Sequence, residues 1–392
     1  MLPKQLKALQ GSPTGKFFAM AKEREAEGYP VIHLEIGQPD FQPLPQIIDS
    51  TIRAITEGKT AYTVSKGIPE LRRAIAEMYE EDWKVVLDPL SEILCIASGK
   101  LAVLAAIYAV IDRGDPIMVQ EPYWVSYPAM THLVGGKFFP IPMDDSDSTN
   151  FGFNTDAIME LVSENKPKAM IVNHPNNPTG HILTQRELTF LKDLIEDHDI
   201  AVVSDEIYSE YSYLDSAEPT LLKVFPEWSD KIIVVNGFSK TFSMTGYRLG
   251  YTVSNPTLAE GILKFIQATT TCPASFAQWA GVTALKHRQE ARKLIRELFP
   301  NRRKVLLDEV KNTPGLSLSA IDGAFYGFIK YDYTEKPAEQ VTIDLLMNAN
   351  VAVIPGTGFG ESAEGYFRVA FSRSENEIKT AFSNIREFIK DQ

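Results

Sequence analysis

Cysteine is scarce in this 392-residue sequence: Cys95 and Cys272 stand alone, each in an apolar or small-residue stretch. No CxxC pair exists to hold zinc or a redox disulfide, which excludes a disulfide scaffold and makes a reducing cytoplasm the expected compartment. Basic charge is also short. Lys and Arg number 39 against 51 Asp and Glu, a formal net charge of −12, which repels a phosphate backbone and argues against nucleic acid as a partner. Long hydrophobic runs are missing, since charge interrupts each one before the ~18 residues that mark a membrane span. The opening MLPKQLKALQ lacks the apolar core of a signal peptide, so a chain without membrane attachment is expected. The histidines, His33, His132, His174, His181, His198 and His287, show no metal-ligand spacing. Repeats and low-complexity tracts are absent as well; the acidic run Asp144–Ser148 reads as a solvated turn, and Glu80-Glu81 as part of a solvated face.

What is present is the composition of an ordinary folded protein, 44% hydrophobic and 23% charged, long enough for one large domain and one smaller. Short apolar runs, Ile93–Ala97, Pro116–Val119, Ala169–Val172, Ile200–Ser204, Ile232–Val235 and Leu249–Val253, alternate with helical patterns. That alternation predicts an α/β fold with a mostly parallel central sheet flanked by helices. Leu188, Leu191 and Ile195 repeat at helical spacing behind a Thr184/Glu187 capping box and form an expected outer helix. Ser275–Val310 reads as helix interrupted at Pro300, and the change of domain is placed near it. Strand patterns at Leu316–Ser319, Gly327–Lys330, Val351–Ile354 and Tyr366–Ala370 follow. A last helix is capped by Ser374 and Glu377, with Ile378, Ala381, Phe382, Ile385 and Phe388 on its apolar face. These elements predict a smaller α+β domain. The resulting division is 41–284 for the large domain and 1–40 with 285–392 for the small one.

Ligands of open parallel sheets bind beyond the carboxyl ends of the strands, and here those ends carry chemistry. Ser98-Gly99-Lys100 opens a helix, whose unpaired N–H groups and dipole suit an anion. Asn173 to Gly180 supplies amides, Ser204-Asp205-Glu206 carboxylates, and Asn236 to Lys240 an amine. Taken alone, Ser98-Gly99 reads as a helix cap and Asp205 as a cap or ion-pair partner. Lys240 is more telling: it follows an apolar strand amid small and hydroxyl residues, and a lysine withdrawn from water becomes a usable nucleophile. Gly246 gives backbone freedom downstream, and Arg248 adds a fixed cation suited to phosphate. Amine, carboxylate and phosphate seat together match pyridoxal phosphate, with its aldehyde, pyridine nitrogen and phosphate.

At this point the sequence resembles a known family. The run from Gly237 through Phe238-Ser239-Lys240-Thr241 to Tyr247-Arg248-Leu249-Gly250 is similar to the cofactor-lysine signature of the class I/II aminotransferases of fold type I, in their aspartate-aminotransferase-like branch. Gly37-Gln38-Pro39-Asp40-Phe41, Tyr62 ahead of Gly67 to Arg72, Pro122-Tyr123-Trp124, Asn177-Pro178-Thr179-Gly180 and Phe367-Arg368-Val369 match further family segments in the family's order, across nearly the whole chain.

The resemblance implies pyridoxal 5′-phosphate as cofactor, with Lys240 as the Schiff-base lysine and proton shuttle. It places Asp205 on the pyridine nitrogen, Tyr208 (with Asp205 and Lys240 a catalytic residue) and Asn177 on the ring oxygen, and Trp124 against the ring. Ser98, Gly99, Lys100, Ser239 and Arg248 become phosphate candidates, Gly99 and Lys100 through their backbone. Tyr62 is expected from the second subunit of a homodimer. Arg368 would take the substrate α-carboxylate with Asn177 and the Gly37 backbone; Trp124 would also meet substrate. The implied function is transfer of an amino group from an L-amino acid to a 2-oxo acid by a ping-pong route, with a dicarboxylic or aromatic donor preferred. The alternative is elimination, cyclisation or decarboxylation on the same fold, decarboxylation being disfavoured by residues that grip the α-carboxylate. A ligand-sensing module of a transcription regulator lacks room for a DNA-binding domain ahead of the fold. A nicotinamide dehydrogenase lacks its fingerprint, because Gly356-Thr357-Gly358-Phe359-Gly360 reads as a tight loop. Side-chain specificity candidates, Lys16, Phe17, Phe18, Tyr123, Tyr127, Arg292 and Phe359, have no place in space from sequence alone.

Overall fold

The apolar runs become strands that helices cover on both sides. In the computed structural model, which describes every residue except 1, 3–5, 8, 10, 12, 145–150, 215–216, 229 and 392, a short strand β1 (Ile32–His33) is followed by seven that share one sheet. These are β2 (Ile93–Ile96), β3 (Pro116–Gln120), β4 (Lys137–Ile141), β5 (Ala169–Asn173), β6 (Ala201–Asp205), β7 (Ile232–Gly237) and β8 (Gly250–Val253). Their order is β2-β8-β7-β6-β5-β3-β4. Neighbours from β7 to β4 pair in parallel, and β8 alone runs antiparallel to both its neighbours. The acidic-run turn falls largely on 145–148, outside the described residues.

Burial on both faces explains the near-continuous apolar strands. Ile232 and Val234 of β7 face a core completed by Leu71, Leu191 and Ala280 from three helices on one side. Ile233 and Val235 face Val103, Met130 and Ile262 on the other. The alternation of successive side chains across the sheet supplies both faces from one run. The capping boxes at Thr184/Glu187 and Ser374/Glu377 form as the spacing predicts.

The C-terminal third builds a second, antiparallel sheet. Its strands are β9 (Leu316–Leu318), β10 (Tyr326–Tyr331), β12 (Ile354–Pro355) and β13 (Tyr366–Ala370), ordered β12-β13-β10-β9, while the intervening β11 (Val351–Ala352) pairs in parallel with β1. The N-terminal segment joins this unit: the Ala370 N–H donates to the Leu34 carbonyl (2.7 Å), and Leu34 packs into the same core as Phe367 and Ile378.

Three elements differ from the sequence reading. The long helix breaks at His287 into Ser275–Lys286 and Arg288–Lys311, and Pro300 lies inside the second helix. Burial of Ile295, Phe299, Arg302 and Leu306 along one face holds that helix together despite the missing N–H. The expected strand Val351–Ile354 divides at Val353, because its two halves pair with different partners, β1 and β13. Strand β4 was not anticipated; Lys137 and Pro140 weaken its pattern, and both suit the sheet edge it occupies.

Candidate active site

The carboxyl ends of β5 and β6, the segments that follow β2, β3 and β7, and residues from β10 and β13 meet at one cavity of about 360 Å³. Of the residues singled out in the sequence, Gly37, Gly99, Lys100, Trp124, Asn177, Asp205, Tyr208, Ser239, Lys240, Arg248 and Arg368 all line it. Ser98 and Tyr62 do not. The Ser98 hydroxyl is committed to capping its helix, accepting from the Leu101 N–H at 3.2 Å. Tyr62 is 87% exposed on this chain's surface.

Lys240 follows β7 and reaches across to the N-terminal segment, where its amine donates to the Gly37 carbonyl at 2.5 Å. Burial, then the nearby Arg368 and Arg248 cations, push its amine down to about 8, with Asp205 opposing. A free-base fraction therefore exists near neutral pH. The Gly37 loop is itself held from several sides: Arg302 grips Asp40 through two bonds of 2.8 and 2.9 Å, and Ser243 donates to the Phe41 carbonyl. Gly37 is required there, since a Cβ would lie 2.2 Å from the Tyr326 hydroxyl.

Asp205 ends β6 with 5% exposure. It accepts from the Tyr127 hydroxyl at 2.9 Å and the Ile207 N–H at 3.3 Å. Burial nevertheless pushes its carboxyl up to about 6, so the group lacks full compensation for its charge. Gly250 of β8 passes under the helix Gly99–Val110; a Cβ there would lie 2.6 Å from the Gly99 nitrogen. Gly99 at the start of that helix lines the cavity, as does Arg248, which is exposed and donates to the Thr245 carbonyl at 2.7 Å. Lys100 also lines the cavity, its ammonium 5.2 Å from the Trp124 ring centroid, and burial followed by Arg248 lowers its pKa.

Arg368 enters from β13 and is 3% exposed. One terminal nitrogen donates to Asn177 Oδ1 (3.1 Å) and the other to the Glu35 carbonyl (2.6 Å), while Nε has no partner among the described residues. A buried guanidinium with an unused donor is an incomplete carboxylate fork. Asn177 is set by Asn173, whose side chain accepts from the Asn177 N–H (2.7 Å) and donates to the Asp205 carbonyl (2.9 Å).

The sequence reading did not assign Asn173 or Tyr326 a role and left Tyr127 without a place. Tyr127 lies 78 residues from Asp205 in sequence, and only the β3–β5–β6 pairing brings them together. Tyr208 sits in a turn at 207–210, and its hydroxyl lies 2.7 Å from that of Tyr326. Arg292 belongs to the scaffold, bonded to Glu210 and Asp82. Lys16 pairs with Glu339, and Phe17 and Phe359 pack with Phe328 and Ile354. Tyr123 stacks edge-on against Phe138, and Phe18 lies near His33. Among the described residues no group of three or more His, Cys, Asp or Glu is placed to hold a metal, and no helix is long and apolar enough to cross a membrane.

Comparison with known proteins agrees with this arrangement. The family model described as "Aminotransferase class I and II" matches residues 29–385. The chain is 32% identical to an aspartate aminotransferase of Bacillus subtilis (strain 168), covering 99% of each. It is 34% identical to a probable aspartate/prephenate aminotransferase of Aquifex aeolicus, covering 100% of this chain and 99% of that one. The solved structure of aspartate aminotransferase from Thermus thermophilus with maleate superposes with a TM-score of 0.91 at 32% identity, covering 99% of both chains. A family match over most of the length, full-length relatives above 30% identity and a shared fold lead to one conclusion: the chain belongs to the class I and II aminotransferases.

Proposed function

We propose that the cavity binds pyridoxal 5′-phosphate on Lys240 and that the enzyme moves the amino group of a dicarboxylic L-amino acid to a 2-oxo acid in two half-reactions. The observation that carries this reading is the convergence of Lys240, Asp205, Asn177 and Arg368 on one cavity. The residues fit the cofactor chemically. Asp205 is a buried carboxylate in want of a cation, the Gly99 helix terminus and Arg248 suit a phosphate, and Lys240 is an amine of lowered basicity. When bound, pyridoxal phosphate supplies an aldehyde for an amine and a ring that accepts negative charge from the substrate α-carbon.

The chain's residues would do the rest. Asp205, held by Tyr127, keeps a positive charge on the ring nitrogen. Arg368 and Asn177 hold the α-carboxylate and so orient the α-hydrogen, which the Lys240 amine takes up and later returns. Tyr208 and Asn177 would hold the ring oxygen, Trp124 would pack against the ring, and Ser239 and the Ser98–Lys100 turn would add phosphate contacts. With Arg248 assigned to phosphate and Arg368 to the α-carboxylate, Lys100 remains as the cavity cation available for a second substrate carboxylate. The names of the similar proteins, aspartate and aspartate/prephenate aminotransferases, favour the same class of donor.

The same reading includes two domains, 41–284 and 1–40 with 285–392, a cytoplasmic location, and a homodimer in which Tyr62 reaches the neighbouring subunit's phosphate site. Support for the dimer comes from Ile48, Ile52 and Ile55, exposed at helical spacing on Pro45–Thr56, together with exposed Tyr62 and Val64. The test is the visible spectrum of the protein loaded with pyridoxal phosphate. Loss of the band on adding aspartate or glutamate and its return on adding a 2-oxo acid support the reading. A band that no amino acid discharges would move the reaction to another chemistry on the same fold.

A further inference from the structure

Tyr326 opens β10, is 1% exposed, and lines the cavity between three groups already described. Its hydroxyl is 2.7 Å from the Tyr208 hydroxyl. Its ring lies 4.6 Å from the Arg368 guanidinium carbon. Its hydroxyl also occupies the space beside Gly37, the residue whose carbonyl receives the Lys240 amine. One phenol therefore touches the proposed ring-oxygen residue, the carboxylate fork and the loop that meets the lysine.

A pair of phenols 2.7 Å apart shares one hydrogen bond, and its direction matters. If the single proton of Tyr208 is to point at the ring oxygen of a bound cofactor, Tyr208 must accept from Tyr326. We propose that Tyr326 is a positioning residue: it donates to Tyr208, committing the Tyr208 proton to the cofactor oxygen and strengthening that donor. The inference rests on the pyridoxal phosphate reading above. The charged and titratable groups facing the Tyr326 phenol are Arg368, Tyr208 and Asp205. Burial raises the pKa of both phenols, and Arg368 opposes the rise in each.

The consequence is spectroscopic. A stronger donor on the ring oxygen disfavours the neighbouring proton on the Lys240-linked nitrogen, so the pH midpoint of the visible band falls. Tyr326→Phe keeps the ring, its packing and its contact with Arg368, and removes only the hydroxyl. The experiment titrates the visible absorbance of four proteins loaded with pyridoxal phosphate: parent, Y326F, Y208F and the double variant. Expected are a midpoint raised by about half a unit in Y326F, a larger rise in Y208F, and no further change when Y326F is added to Y208F. An unmoved midpoint in Y326F, a lowered one, or a shift that persists in full without Tyr208 overturns the proposal and leaves the cofactor reading intact. Absence of the band in the parent protein overturns both.

Discussion

Replacing Arg368 by Lys tests the substrate site most directly. The change keeps a positive charge on β13 and removes the planar fork, so it separates charge from geometry. In the protein each terminal nitrogen makes one bond, to Asn177 Oδ1 and to the Glu35 carbonyl, which leaves each a second N–H, and Nε has no partner among the described residues. A carboxylate seated on the fork takes two parallel bonds, and a lysine can supply one of them. Loss of a hydrogen bond to a charged group is worth about 1.5–3 kcal/mol, which predicts a roughly ten- to hundredfold lower kcat/KM for aspartate. A control separates this from general damage: 3-aminopropanoate is aspartate without its α-carboxylate, and its slow single-turnover reaction needs no fork. The variant should react with it about as the parent does, and the thermal midpoint should show whether the Asn177 and Glu35 acceptors, now unmatched, have weakened the fold. A loss under about threefold on aspartate, or an equal loss on both amines, would refute the assignment of Arg368 to the α-carboxylate.

Other outcomes follow from the same structure. Lys240→Ala removes the amine that both holds the cofactor and moves the proton, and turnover should fall by about a thousandfold or more; steady-state activity within tenfold of the parent would rule out Lys240. Lys100→Met should lower kcat/KM for aspartate about tenfold relative to phenylalanine; equal losses on the two donors would show that Lys100 serves the cofactor instead. Glu206 is fully buried, its Oε1 accepting from Ser204 (2.8 Å) and the Leu221 N–H (2.9 Å) and its Oε2 without a partner among the described residues. Burial pushes its carboxyl from 4.5 up to about 7. The folded state thus holds this proton more tightly than the unfolded chain, and stability from this group is lost as pH rises from the unfolded value to the folded one. Glu206→Gln carries no such charge, so its advantage over the parent in urea unfolding should widen by roughly 3 kcal/mol from about pH 4 to about pH 8. Parallel pH profiles for the two proteins would contradict it.

The sheet was legible because its strands are buried on both faces, which forces continuous apolar runs at Ile232–Val235 and Ala169–Val172. The chemistry was legible because it sits at strand ends, where Asp205 and Asn173 are the last residues of β6 and β5. Edge and crossing elements were harder to see. Strand β4 carries Lys137 and Pro140 because it lies at the end of the sheet among the described residues, and β11 and β12 look like one strand because nothing local separates Val351 from Ile354. His287 ends a helix without glycine or proline, whereas Pro300 lies inside one whose buried face holds it together.

The residues that the sequence reading missed share a physical reason. Tyr127, Asn173 and Tyr326 act on other side chains, and their importance exists only once distant strands are aligned. Tyr127 matters through Asp205, Asn173 through Asn177, and Tyr326 through Tyr208 and Arg368. A tyrosine at the start of an apolar strand reads as core, and by burial Tyr326 is core. Its function would come from the hydroxyl, because a buried phenol must find a partner, and here the available partner points into the cavity. Supporting residues of this kind have no motif of their own. Three of the groups they steady, Asp205, Asn177 and Tyr208, come from the large sheet's strand ends, while Arg368 comes from β13 and Gly37 from the segment after β1. A small rotation between the two sheets would therefore change the Arg368–Asn177 and Tyr326–Tyr208 contacts together, so carboxylate binding and the proton position on Tyr208 should respond as one unit.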